Sequence, residues 1–287
     1  MYTPRPRVIP CLLLRGTGLV KTTRFEQPVY LGDPRNVVKI FNDKEADELV
    51  ILDIEASKQR RGPNFDLLRE IANESFMPLG YGGGIRTAED VEAIIAIGIE
   101  KVVINTAALE NPAVIEESAR RVGSQSVVAG VDVHAAGLLR HPQVYAHVRG
   151  KGFQTRPEEH ARRLESAGAG EILLQSVDRD GTMKGYDLET IRSVSTAVRV
   201  PVVACGGAGG VPDLVAATRA GASAAAAGSM FVFQGRLRAV LISFPEERVL
   251  AHAFGADSAG SVAFNDKTDG GPLHTQKRSM SERGPAE

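Results

Sequence analysis

The chain has 287 residues, 43% of them hydrophobic, and a formal net charge of −1. That length suits one large domain of roughly 250 residues with some chain to spare, and the near-zero charge excludes an electrostatic footprint for nucleic acid or an acidic membrane surface. No run is long enough to span a bilayer and Met1–Arg7 carries no signal-peptide pattern, so the expected location is cytoplasmic.

In chain order, Met1–Arg7 is a polar, proline-rich lead-in, and the unbroken apolar run Val8–Leu14 predicts a first strand. Arg15–Gly32, polar and glycine-bearing, reads as a long loop. Asp33 as cap and Pro34 in the first position predict a helix over Asp33–Lys44. Further strands are expected at Glu48–Ile54, Met77–Gly80, Lys101–Ile104, Ser126–Asp132, Glu171–Gln175, Val200–Ala204 and Ala222–Ala227. Helices are expected at Asn64–Glu74, Thr87–Ile97, Pro112–Arg121, Arg156–Ala167, Leu188–Ala197, Pro212–Arg219 and Phe231–Leu241. Ala136–Thr155 reads as a second long loop. Eight strands alternating with eight helices predict an α/β protein with a closed (β/α)8 TIM barrel over residues 1–250. An open doubly wound sheet is the rival, and the even spacing favours closure. Residues 251–287, rich in Gly, Ser, Asp and Lys, read as a disordered tail. Cys11 and Cys205 lie in apolar runs and read as buried thiols rather than as a disulfide or metal site.

Two strands run into glycines: Pro78–Ile85 (Pro-Leu-Gly-Tyr-Gly-Gly-Gly-Ile) and Pro201–Gly209 (Pro-Val-Val-Ala-Cys-Gly-Gly-Ala-Gly). They stand 123 positions apart. The same offset relates Glu48 to Glu171 and Thr106 to Ser229 within matching strands. One offset held at three places reads as a duplicated half-barrel. Glycines at a strand's carboxyl end let backbone N–H groups approach an anion, usually phosphate; an ordinary tight turn is the plainer reading. The repeat favours two phosphate cups, hence a ligand with a phosphate at each end. Gly83, Gly84, Asn105 and Thr106 would form one cup; Gly181, Gly206, Gly207, Gly228 and Ser229 the other.

Asp132 ends an apolar run, Val127–Val133, and is the candidate general acid or base because partial burial raises a carboxyl pKa toward neutrality; a hydrogen-bonded loop anchor is the alternative. Aligning Pro10–Leu14 with Ala129–Val133 pairs Asp132 with Leu13, which moves no proton. Asp178 and Asp180, in Asp178-Arg179-Asp180-Gly181-Thr182, could line the second cup or place a water, or belong to an Asp-rich turn.

Taken together, Arg7–Leu12, Tyr81–Arg86, Ile104–Ala108, Gly168–Leu174 and Asp178–Thr182 resemble the cyclase subunit of imidazole glycerol phosphate synthase, over about Arg7 to Leu250. The resemblance implies a barrel bound through its amino-terminal face to a glutaminase subunit. Ammonia then passes through the core to a bisphosphate substrate, where aspartates on the first and fifth barrel strands perform acid–base catalysis. It also implies an ammonia gate, matched by Arg7, Glu48, Lys101 and Glu171, and a loop lysine, matched by Lys21. Of the two aspartates Asp132 is present, and Leu13 stands in place of the other; His134 replaces a lysine. Neither metal nor cofactor is implied.

Entry retained and proton transfer broken resembles a divergent branch found with surface-polysaccharide genes, whose members are thought to supply ammonia to a separate enzyme making acetamidino sugars. Ile9–Leu14, Gly18–Thr22 and Gly228–Phe233 carry that likeness. The expected role is therefore an ammonia-channelling subunit for sugar amidination, in which Asp132 could be vestigial. The alternatives are a histidine-biosynthesis lyase, a related sugar-phosphate isomerase and a purely structural scaffold. Expected partners are a glutaminase, a sugar-amidating enzyme and a small phosphorylated ligand, with no nucleic acid and no membrane.

Overall fold

The computed structural model describes residues 4–137, 141–149, 151–152, 155–235 and 237–255. In chain order the elements are β1 (Arg7–Arg15), β2 (Gly18–Thr23), β3 (Glu26–Gly32), α1 (Pro34–Asp43), β4 (Leu49–Asp53), α2 (Phe65–Glu74), β5 (Leu79–Gly82), α3 (Ala88–Ala96) and β6 (Lys101–Ile104). The middle of the chain forms α4 (Thr106–Glu110), α5 (Ala113–Val122), β7 (Val127–Ala136), β8 (His141–Ala146), β9 (Lys151–Gly152), α6 (Pro157–Ser166) and β10 (Glu171–Ser176). The last part forms α7 (Leu188–Ala197), β11 (Val202–Cys205), α8 (Val211–Arg219), β12 (Ala224–Ala227), α9 (Ser229–Val232), β13 (Phe233–Gln234), β14 (Ala239–Val240) and α10 (Glu247–Gly255).

Strands β1, β4, β5, β6, β7, β10, β11 and β12 pair in parallel in that order, and β12 pairs back onto β1. Closure removes both sheet edges and excludes the open doubly wound alternative. Because side chains alternate along a strand, each barrel strand feeds two cores. Val8, Leu12 and Leu14 of β1 pack outward with the helices, whereas Ile9 and Cys11 join Val50, Val103, Val128, Leu173, Val203, Cys205, Ala224 and Ala226 inside the barrel.

The register bears out the predicted repeat. Leu13 lies opposite Leu52, and Asp132 lies opposite Gln175, the residue 123 positions after Leu52. Leu13 and Asp132 therefore hold equivalent places in the two halves.

Four expectations need correction. The stretch Arg15–Gly32 is a hairpin, not a loop: β2 turns back on β1 and β3 pairs with β2, with Leu19 and Val20 buried. Within Ala136–Thr155, β7 runs on to Ala136 and β8 pairs antiparallel with it. Phe231–Leu241 is not a helix: after α9 the chain turns at Gly235, whose φ is +69°, and forms the β13–β14 hairpin. The eighth outer helix is instead α10, which crosses the expected boundary at Leu250, a fully buried residue. Residues 256–287, most of the expected tail, lie outside the described residues.

Candidate functional site

The foot of the barrel carries Arg7, Glu48, Lys101 and Glu171, all at or beside strand starts. Arg7 bonds both Glu48 and Glu171. Lys101 Nζ lies 3.0 Å from Glu48 and 2.8 Å from Glu171. Each carboxylate is shared by two cations, which closes a ring of alternating charge. Burial pulls the Arg7 guanidinium down, but attraction to Glu171 and Glu48 outweighs it and its pKa is raised. Directly above the ring a small void is walled by Ile9, Val50, Val103, Val128, Leu173 and Val203. Ala224 and Ala226 of β12, the two alanines of that strand that face inward, keep one wall of the bore low. Cys11 and Cys205 are buried free thiols of the same bore, as expected from the sequence. Their hydrogen bond, together with burial, pushes the Cys205 thiol well above its ordinary value.

At the carboxyl ends of the strands the predicted residues gather into two places. Gly83, Gly84, Asn105, Thr106, Leu13 and Asp132 line one cavity. Gly181, Gly206, Gly207, Gly228, Ser229, Lys21 and Asp180 line the other. The glycine doublets have positive φ at both repeats: +125° and +72° at Gly83 and Gly84, +91° and +123° at Gly206 and Gly207. Close packing explains why glycine is needed. A Cβ at Gly83 would stand 2.5 Å from the Asp53 carbonyl, and one at Gly206 would stand 2.7 Å from the Ser176 carbonyl, the matching atom of the other half.

Asp132 sits on the floor of the first cavity. Burial dominates its environment and a hydrogen bond with Asn105 only partly compensates, so its carboxyl is pushed up to about 7. It can exchange a proton near neutral pH, and Leu13, in the equivalent place on β1 and lining the same cavity, cannot reciprocate.

Lys21 and Asp180 form a buried pair, Nζ to Oδ1 2.7 Å, and Thr22 donates to Asp180 at 3.0 Å. The lysine charge is thereby held on the side of the second cup. Asp178, by contrast, lies apart from both cups. It accepts from Ala135 N at 2.7 Å and stands 3.7 Å from His134, so it braces the β7–β8 hairpin.

Among the residues that line the first cavity and were missed are Phe25, Lys58 and His147. Phe25, in the β2–β3 turn, meets His147 edge-on at 5.1 Å between ring centres, so the two hairpins roof the cavity. Burial, helped by the nearby Lys58 charge, lowers the His147 pKa to about 4, leaving the ring neutral. The enlargement of both loops was the only sequence signal for this roof. Among the described residues no cluster of His, Cys, Asp and Glu is placed to hold a metal ion, and no helix is long and apolar enough to cross a membrane.

A closed two-fold (β/α)8 barrel with matched glycine cups above an apolar bore is the architecture this chain builds. The family model described as Histidine biosynthesis protein matches residues 7–238. The chain is 50% identical over 243 residues to the protein of Pseudomonas aeruginosa PAO1 named "Putative imidazole glycerol phosphate synthase subunit hisF2", covering 84% of this chain and 96% of that one. It is 45% identical over 242 residues to a HisF homologue of Leptospira interrogans, named in the same terms (84% and 95% covered). Identity is 46% over 228 residues to the "Imidazole glycerol phosphate synthase subunit HisF" of Alkaliphilus metalliredigens (78% and 89% covered). The chain belongs to the histidine-biosynthesis barrel family, in its HisF-type cyclase group.

Proposed function

We propose that this chain is the ammonia-conducting subunit of a cytoplasmic glutamine amidotransferase complex, serving amidination of a surface-polysaccharide sugar. One observation carries the reading: the charge ring and the apolar bore are kept beneath half of a proton-transfer pair, because Leu13 occupies the place equivalent to Asp132.

In this account a glutaminase docks on the amino-terminal face. Ammonia enters through the ring of Arg7, Glu48, Lys101 and Glu171, whose shared carboxylates allow one cation to swing away while the other stays paired. The layer of the bore that stands above the ring is walled by apolar side chains and thiols. Stripping a cation of water in such a bore is costly, so neutral ammonia passes and ammonium is excluded. The emerging ammonia reaches the mouth between the two cups. There the glycine N–H groups and the Thr106 and Ser229 hydroxyls hold a small ligand by its two phosphates. A separate amidating enzyme uses the ammonia to form the acetamidino group.

The second reading, a histidine-biosynthesis lyase, draws on Asp132 itself, whose pKa near neutrality suits acid–base work. Complementation of a histidine auxotroph lacking its own cyclase separates the two. The conduction reading expects no growth, and growth overturns it.

A further inference from the structure

The two cups differ in the segment of chain that succeeds each one. In the first half α4 is followed by α5 after only Asn111 and Pro112, with no intervening hairpin. In the second half α9 is followed by the β13–β14 hairpin, in which Phe233 pairs with Val240 and Gln234 with Ala239. The turn of that hairpin brings Arg238 back over the second cup. Its Nη2 lies 3.1 Å from the Gly181 carbonyl oxygen and 3.5 Å from the Ser229 hydroxyl, both groups of cup residues. Its guanidinium carbon lies 4.6 Å from the centre of the Phe233 ring, which fixes the plane of the group. Arg238 itself has φ +52°, a conformation a non-glycine residue adopts at some cost. Among the described residues it pairs with no carboxylate, unlike Lys21, whose charge Asp180 neutralises.

We infer that Arg238 is the cationic clasp of the second cup, binding the terminal phosphate of the ligand and thereby distinguishing one end of a two-phosphate molecule from the other. The inference rests on the reading of the cups as phosphate sites. A phosphate accepting from Ser229 Oγ and from the N–H of Gly207 places its outer oxygens beside Nη2. The guanidinium then exchanges a neutral carbonyl for an anion that its fork matches with two parallel hydrogen bonds. The first cup has no counterpart of the β13–β14 hairpin, and its cavity carries Lys58 rather than an arginine, so the insertion adds to the difference between the two ends of the ligand site.

The test uses inorganic phosphate with the full chain. Titration calorimetry gives the affinities, and crystals soaked over a phosphate series give the occupancy of each cup. Arg238→Gln should weaken the second cup by roughly 10- to 100-fold, the range for losing a charge-assisted hydrogen bond. Arg238→Lys, a point charge without the fork, should fall between. Both variants should leave the first cup unchanged. Unaltered second-cup affinity in Arg238→Gln, with phosphate seated on Gly207 and Ser229, overturns the clasp alone. Equal weakening of both cups also overturns it, by showing a global effect. An empty second cup in the wild type at every concentration overturns the phosphate reading and the clasp with it.

Discussion

Replacing Asp132 by Asn removes the charge from a buried carboxyl of the mouth while keeping its shape. The carboxyl is carried from 3.8 to about 7, chiefly by desolvation. Ionising it in the folded chain therefore costs up to roughly 4 kcal/mol relative to the unfolded chain. Between about pH 4 and 7 the folded state binds this proton and the unfolded state has lost it. The contribution of Asp132 to stability accordingly declines as pH rises through that window, and the full penalty is present above it. Asn105, the hydrogen-bond partner, can turn its amide to meet an asparagine. Urea unfolding at pH 8, 6 and 4.5 should find Asp132→Asn more stable than wild type by about 2–4 kcal/mol at pH 8. The gap should shrink at pH 6 and fall to within about 1 kcal/mol at pH 4.5. A gap that is independent of pH, or a less stable variant at pH 8, would refute the assignment of Asp132 as a buried, strained carboxylate.

Leu13→Asp should introduce cyclase turnover above the wild-type level, by about 10²-fold or more, if a second proton-transfer group is what the mouth lacks; steady-state assay with ammonia and the bisphosphate substrate reads it, with thermal melting to confirm folding. Lys101→Met should leave Glu48 and Glu171 competing for Arg7 alone, lower stability by roughly 3 kcal/mol, and uncouple glutaminase stimulation, measured as glutamine turnover with and without the barrel. His147 and His160 are both held near 4 by burial, so their contribution to stability is intact above about pH 6.5 and is lost as pH falls toward 4. Replacing both by Gln should flatten the acid side of the stability profile, and NMR titration should find the His147 ring still neutral at pH 6.

Much of this architecture is legible in the chain because parallel strands are buried on both faces and read as short apolar runs between helices. The 123-residue offset was equally legible and located both glycine-lined cavities, while aligning the first and fifth barrel strands, Pro10–Leu14 with Ala129–Val133, exposed the mismatch of Leu13 with Asp132. The hairpin of β2 was hidden for a physical reason. Its Lys21 and Thr22 look like loop residues by composition, but both are buried because Asp180, more than 150 positions away in sequence, accepts their hydrogen bonds. No local pattern encodes such a partner. Asp178 lies outside both glycine-lined cavities, where its carboxylate accepts from the Ala135 amide. The span Phe231–Leu241 failed as a helix because Gly235 turns the chain and Val232 accepts from Leu241 across the hairpin. Arg238 was missed along with that hairpin, since only the turn brings it to Ser229.

The central claim is that conduction survives where cyclisation does not. Its most direct test is the rate at which the purified wild-type chain, saturated with ammonia and the bisphosphate substrate of histidine biosynthesis, forms imidazole glycerol phosphate. The account predicts no product above the background without protein, because Leu13 leaves Asp132 without its counterpart. Saturable turnover that disappears in Asp132→Asn would contradict it, since a single carboxyl would then be performing the chemistry assigned to two.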